Sequence, residues 1–106
     1  MKPHASKETI QRLIVGKAVE GLLSAGKELS VETGDQIPLL ALCAWTEPVM
    51  AAIFASEDSE VWLFTFDRGQ FVKLVLDNDV DVISDYHTGL EKNLAAANAL
   101  AEALEA

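Results

Sequence analysis

The sequence predicts an α+β domain with an antiparallel sheet, a three-strand meander over about residues 60–86, and helices mostly on one face. Three observations carry this expectation. Residues 59–87 hold the β-rich runs SEVWLFTF, QFVKLVL and VDVISDY, broken at Asp67-Arg68-Gly69 and at Asp77-Asn78-Asp79. Apolar residues recur at helical spacing over residues 10–25 and again over 90–104. Between these regions lie short alternating or apolar runs set off by turn residues. The expected order is α-β-β-α-β-β-β-α in one domain spanning residues 1–106, enough chain for one two-layer core.

In the first helix Ser6 stands as the cap, with Glu8 in the first turn at the positive end of the dipole. Ile10, Leu13, Ile14, Ala18, Leu22 and Ala25 form the stripe, widened by Val15, Val19 and Leu23, and Gly26 supplies a left-handed end. Gly16 and Gly21 weaken this helix and permit close packing against it. Residues 1–5 are expected to fray. Residues 28–32 alternate, with Leu29 and Val31 on one side, and residues 33–36 read as a turn. Residues 37–44 fit either a buried strand returning antiparallel or a short helix with Pro38 in its first turn. The strand is preferred, because Thr46-Glu47-Pro48 looks like a fresh helix start with Thr46 as cap. That second helix presents Val49, Met50, Ile53 and Phe54. The last helix opens at Thr88 and Glu91, which stand at capping-box spacing, and carries Leu90, Leu94, Ala97, Ala101 and Leu104.

For the meander, a three-residue loop with Gly69 in the left-handed position sets Phe66 opposite Gln70. Asn78 or Asp79 in a second left-handed turn sets Leu76 opposite Val80. One face then carries Trp62, Phe64, Phe66, Val72, Leu74, Leu76, Val80 and Val82 without a charge. The other mixes Val61, Leu63, Phe71, Val75 and Ile83 with Thr65, Lys73, Asp81 and Asp85. A solvated antiparallel face is usually more polar than this, so a partner is expected there.

The formal net charge of −9 opposes direct binding of nucleic acid or of an anionic membrane, whose phosphates require Lys and Arg. The longest apolar run, residues 39–45, is far too short to span a bilayer. The amino-terminal residues lead into an amphipathic helix rather than an export signal, which points to the cytoplasm. Cys43 is the single cysteine and lies in an apolar run without basic neighbours, so it reads as a small buried hydrophobe.

Chemistry-bearing motifs are sparse. His87, beside Asp85 and Tyr86 at a strand-to-helix junction, is the one candidate general base; His4 lies near the amino terminus. Asp77, Asp79 and Asp81 resemble the front of a calcium loop, but Val82 stands at its glycine position and Thr88 at its closing acid. One cysteine and two distant histidines supply no zinc set, and the glycines match no phosphate-binding loop. No metal and no cofactor is expected. Trp62 is expected in the core.

The segments AAIFASEDSEVWLFTF and DVISDYHTGLEKNLAAANALAEAL, with the stretch Ile83-Ser84-Asp85-Tyr86, resemble a class of small uncharacterised proteins of bacterial genomes, phages and plasmids. The resemblance covers the second half of the chain. It implies the same layout of helix, strands, short helix, meander and closing helix, and no activity.

The functional expectation is a non-enzymatic interaction protein, a homodimer or small accessory subunit, with Val61, Leu63, Phe71, Val75, Ile83, Asp85, Tyr86 and His87 as its contact residues. Two alternatives stand beside it. One is an acidic inhibitor or nucleic-acid mimic that uses Glu57, Asp58, Glu60, Asp77, Asp79 and Asp81 against a basic site. The other is a ligand-binding domain or enzyme with a pocket near His87.

Overall fold

A computed structural model describes residues 7–77 and 80–105. Among them the chain forms helices α1 (Lys7–Ser24), α2 (Thr46–Ala55) and α3 (Ala95–Glu105) and a 3-10 turn at Thr88–Leu90. The strands are β1 (Leu29–Thr33), β2 (Pro38–Cys43), β3 (Glu60–Phe64), β4 (Phe71–Val75) and β5 (Ile83–Tyr86). They make one sheet in the order β2-β1-β3-β4-β5 with every neighbouring pair antiparallel. Class and element order match the sequence expectation. Fraying at residues 1–5, the Ser6 cap, His4, and the left-handed turn at Asn78 or Asp79 lie outside the described residues.

Helix α1 ends as its sequence dictates. Gly26 takes φ +84°. Its N–H donates to the Leu23 carbonyl at 3.0 Å while the Lys27 N–H reaches back to Leu22 at 3.3 Å, a Schellman closure. The face α1 buries consists of Gln11, Ile14, Val15, Ala18, Val19 and Leu22. Leu13 and Ala25, expected in the stripe, lie outside it; Leu13 is 52% exposed. The two glycines of α1 differ in kind. A Cβ on Gly21 would lie 2.1 Å from the Asn93 carbonyl oxygen, so the segment leading into α3 crosses α1 where only glycine fits. A Cβ on Gly16 would meet only the Met50 terminal carbon, at an ordinary 3.8 Å.

Strand β2 is the preferred strand of residues 37–44, at the sheet edge. Its pairing with β1 is interrupted by two register irregularities, and Pro38 stands opposite Glu32. Both are devices that blunt an open edge. From β2 the chain passes through α2 and returns as β3 on the far side of β1, so α2 lies over β1 and β2 and buries Val49 and Ile53. At the other end of the chain, Thr88 and Glu91 do not open an α-helix. The His87 ring caps a 3-10 turn there, and α3 begins only at Ala95. Leu90, Leu94 and Ala97 are buried as expected; Leu104 is 38% exposed.

The register of β3 against β4 departs from the expectation by one residue. Trp62 faces Lys73, Leu63 faces Val72, and Phe64 faces Phe71. The loop has four residues, closed by the Thr65 N–H on the Gln70 carbonyl at 3.1 Å, and the left-handed residue is Arg68 at φ 59°, not Gly69. A Cβ at Gly69 would crowd the Asp67 carboxylate at 3.0 Å, the group that accepts its own N–H. Thr65, Asp67 and Gln70 hold the loop through side-chain bonds, the Gly69 N–H donating to Asp67 at 2.8 Å. On the β4–β5 side, Leu74 pairs with Ile83, and an irregularity follows before Lys73 meets Asp85.

The dry wall therefore differs from the expected one along β3. Val61, Leu63, Val72, Leu74 and Val82 are at most 1% exposed under the helices, while Trp62 and Phe64 turn to the opposite face and Phe66 is 79% exposed. Leu76 and Val80 pack at the margin of the core. Small branched side chains fill the interior, where helices and sheet approach closely; the flat rings lie outside it. Opposite effects of two truncations test this register. Leu63→Ala should lower the unfolding free energy by about 2–5 kcal/mol in urea titrations, and Phe66→Ala should change it by no more than about 0.5 kcal/mol. The reverse ranking would restore the register read from the sequence.

Candidate interaction surface

Alternation along β3 and β4 sends one set of side chains into the core and the other onto a sheet face that none of the described helices covers. That open face carries Trp62 and Phe64 from β3 and Phe71 from β4. Trp62 and Phe64 are two apart on one strand, and their rings lie near parallel, 7° apart with centroids at 6.0 Å. Phe71 tilts against Trp62 at 5.4 Å.

Charged side chains lie across this ladder. The left-handed backbone at Arg68 brings its guanidinium over the Phe64 ring, 4.0 Å from the centroid. The same guanidinium grips Glu32 of β1 with two nitrogens, Nη1 on Oε2 and Nη2 on Oε1 at 3.3 Å. These bonds hold the Arg68 pKa above its ordinary value. Glu32 is only 8% exposed, so Arg68 is what makes its charge tolerable there. At the other end Lys73 sits 5.6 Å over Trp62 and 3.5 Å from Glu60, whose carboxylate also accepts the indole N–H at 3.0 Å. Beside Trp62 and Phe64, Gly34 and the left-handed Gln36 complete a hollow of about 110 Å³.

Of the contact residues expected from sequence, Phe71 and Val75 lie half-buried on this open face. Val61 and Leu63 do not; they are fully enclosed in the core, as the one-residue register change requires, and Ile83 is 8% exposed at its edge. Asp85 is exposed, opposite Lys73 in the register, and accepts the Tyr86 N–H at 2.9 Å. His87 Nδ1 accepts the Gly89 N–H at 2.9 Å and caps the 3-10 turn. With that nitrogen engaged and Asp85 bonded elsewhere, the described hydrogen bonds form no His87–Asp85 pair.

Of the acids expected to act together, Glu57, Asp58 and Asp77 join Glu8 and Lys7 around a hollow of about 340 Å³ between the start of α1 and the end of α2. Glu60 belongs to the open face instead, and Asp79 lies outside the described residues. No group of three His, Cys, Asp or Glu among the described residues could hold a metal ion. Nor is any described helix long and apolar enough to cross a membrane. Cys43 is a half-buried free thiol that accepts the Trp45 N–H at 3.4 Å. Arg68 and Glu32 were in neither expected set; Lys73 was placed on the partner-seeking face without being counted as a contact, and Glu60 was expected among the acids instead. The even spacing of Trp62, Phe64 and Phe66 was the available signal, and it marks a shared face without saying which. No family model, curated protein or solved structure matches the chain.

Two measurements probe this surface. Arg68→Ala should lower the urea midpoint by stranding Glu32, and Glu32→Gln in the same chain should recover part of the loss; a double variant no better than the single one would separate the two residues. Asp67 is held below the usual aspartate range, chiefly by the Gly69 N–H, with Thr65 assisting. Folding thus favours its ionised form. That contribution is complete above the ordinary aspartate pKa and disappears as pH falls through the depressed one. The stability gap between the native chain and Asp67→Ala should narrow as acid is added, and a gap independent of pH would deny the carboxylate this role.

Proposed function

We propose that this chain is a non-enzymatic cytoplasmic interaction module that binds a protein partner on the open face of its sheet. The observation that carries the reading is the aromatic ladder of Trp62, Phe64 and Phe71 on a face without helical cover. Interface cores are enriched in aromatic residues and arginine, and both occur here. Opposite charges are interspersed along the face, Arg68 and Lys73 against Glu32 and Glu60. A partner of alternating charge fits such a surface; a polyanion does not. The single thiol, committed to a turn, fits a reducing compartment.

A second reading rests on the hollow lined by Glu8, Glu57, Asp58 and Asp77, which suits a basic segment of a partner. Salt separates the two, since a contact dominated by these carboxylates weakens steeply with ionic strength. The deciding experiment is affinity capture from the native host with the native chain and with Phe64→Ser and Lys73→Glu. The expected result is one partner, retained at moderate salt by the native chain and lost with both variants. Capture that ignores both face variants would remove the sheet face from the account.

A further inference from the structure

We infer that a second copy of this chain seats its Trp45 in the groove between α1 and α2, and receives the first copy's Trp45 in return. The groove measures about 320 Å³, room for an indole, and Leu13, Gly16, Thr46 and Met50 line it. Its floor is Gly16. Glycine is the poorest choice but proline for a helix interior, and nothing inside the chain demands it: a Cβ would meet Met50 at an ordinary 3.8 Å. Gly21, by contrast, is required by Asn93. What glycine does at position 16 is keep the groove open toward the outside.

The matching knob is the next feature along the surface. Trp45 is 74% exposed and occupies the position that caps α2, where Ser, Thr, Asp or Asn would be preferred; its side chain makes no cap bond. The Cys43 thiol fixes its backbone at 3.4 Å. Leu13, 52% exposed at the groove, is the other large apolar side chain that this contact would cover.

Charge selects the occupant. The chain carries −9, so most approaches of one copy to another are repulsive. On the groove rim Arg12 and Lys17 outnumber Glu20, and the residue two beyond the knob is Glu47. An incoming Trp45 thus carries a carboxylate to a basic rim. Residues 36–46, which flank the knob, hold no charge at all. Knob and hole adjoin on one chain, sharing Thr46, which is the self-complementarity a two-fold contact needs. The contact uses the α1 and α2 surface, not the open sheet face, and is independent of the partner proposed there.

Light scattering on the purified full chain over a concentration series tests this. The expected result is a concentration-dependent rise toward twice the 11.5 kDa of one chain. Trp45→Ala and Gly16→Leu should each weaken dimerisation by at least about 30-fold, the loss typical of an interface hot spot. Circular dichroism keeps misfolding separate, because both variants should retain native helicity and a cooperative melt. Lys17→Glu and Glu47→Lys should each weaken the dimer, and the double swap should restore it. In a Trp62→Phe background, emission from Trp45 should shift to the blue as the dimer forms. A strict monomer at every concentration overturns the inference. So does a dimer that survives Trp45→Ala and Gly16→Leu, or a monomer that uses Trp45 to bind a different protein. Phe64→Ser should leave the dimer intact, so failure here and failure of the sheet-face reading are told apart.

Discussion

The four-residue loop between β3 and β4 decides where every side chain on both strands points. Its Thr65–Gln70 closure and left-handed Arg68 set odd residues of β3 against even residues of β4. Side-chain direction in a strand has period two, so no intermediate register exists. Had the loop been one residue shorter, Trp62 and Phe64 would have gone under the helices and Lys73 would no longer have stood across from Trp62. The compact aliphatic interior and the aromatic exterior are two consequences of one turn.

Placing all the helices on one side leaves the reverse of the sheet to be closed by its own side chains. Three rings lie on it, two of them near parallel, and Arg68 and Lys73 lie across Phe64 and Trp62 while their charged ends reach Glu32 and Glu60. Such long side chains cover apolar surface with their stems and keep their heads wet. Partly exposed pairs like Lys73–Glu60 contribute no more than about 1 kcal/mol, so they are easily exchanged for a partner's groups. Glu32 is the exception, since its near burial ties it to Arg68. The face is thus sealed enough for an isolated chain and open enough for docking, with Arg68 as its fixed point.

Much of this architecture was legible in the chain itself. The period of α1, its glycine end, β2 as a strand and the element order all followed from local rules, because each rested on a few neighbouring residues agreeing. The meander register did not. Val61, Leu63 and Thr65 make as good an inner row as Trp62, Phe64 and Phe66, since both sets are free of charge, and the three-residue loop expected around a left-handed Gly69 favoured the aromatic set. The tie was broken by Arg68, a non-glycine residue in the left-handed region, a preference invisible in composition. The start of the last helix failed for a related reason. Thr88 and Glu91 have capping-box spacing, but the His87 ring already accepts the Gly89 N–H and tightens the chain into a 3-10 turn. The expected contact set inherited the register error in Val61 and Leu63, whereas Phe71 and Val75, whose outward direction is the same in either register, stayed on the open face.

Local preference that goes unmet is itself informative once packing is known. Gly21 violates helix propensity inside α1, where the Asn93 backbone requires it, and Gly26 lies just beyond the helix, where its positive φ favours glycine. A Cβ on Gly69 would crowd only the Asp67 side chain. Gly16 has neither excuse, and Trp45 at the head of α2 is a poor cap whose loss is only softened by Pro48, which removes one N–H that a cap would otherwise satisfy. Two unmet preferences fall side by side, one leaving a hollow and the other a protruding ring. The proposed dimer would use both at once: each copy's ring would fill the other's hollow, and the surface formed by α1 and α2 would be completed by the same surface on another copy.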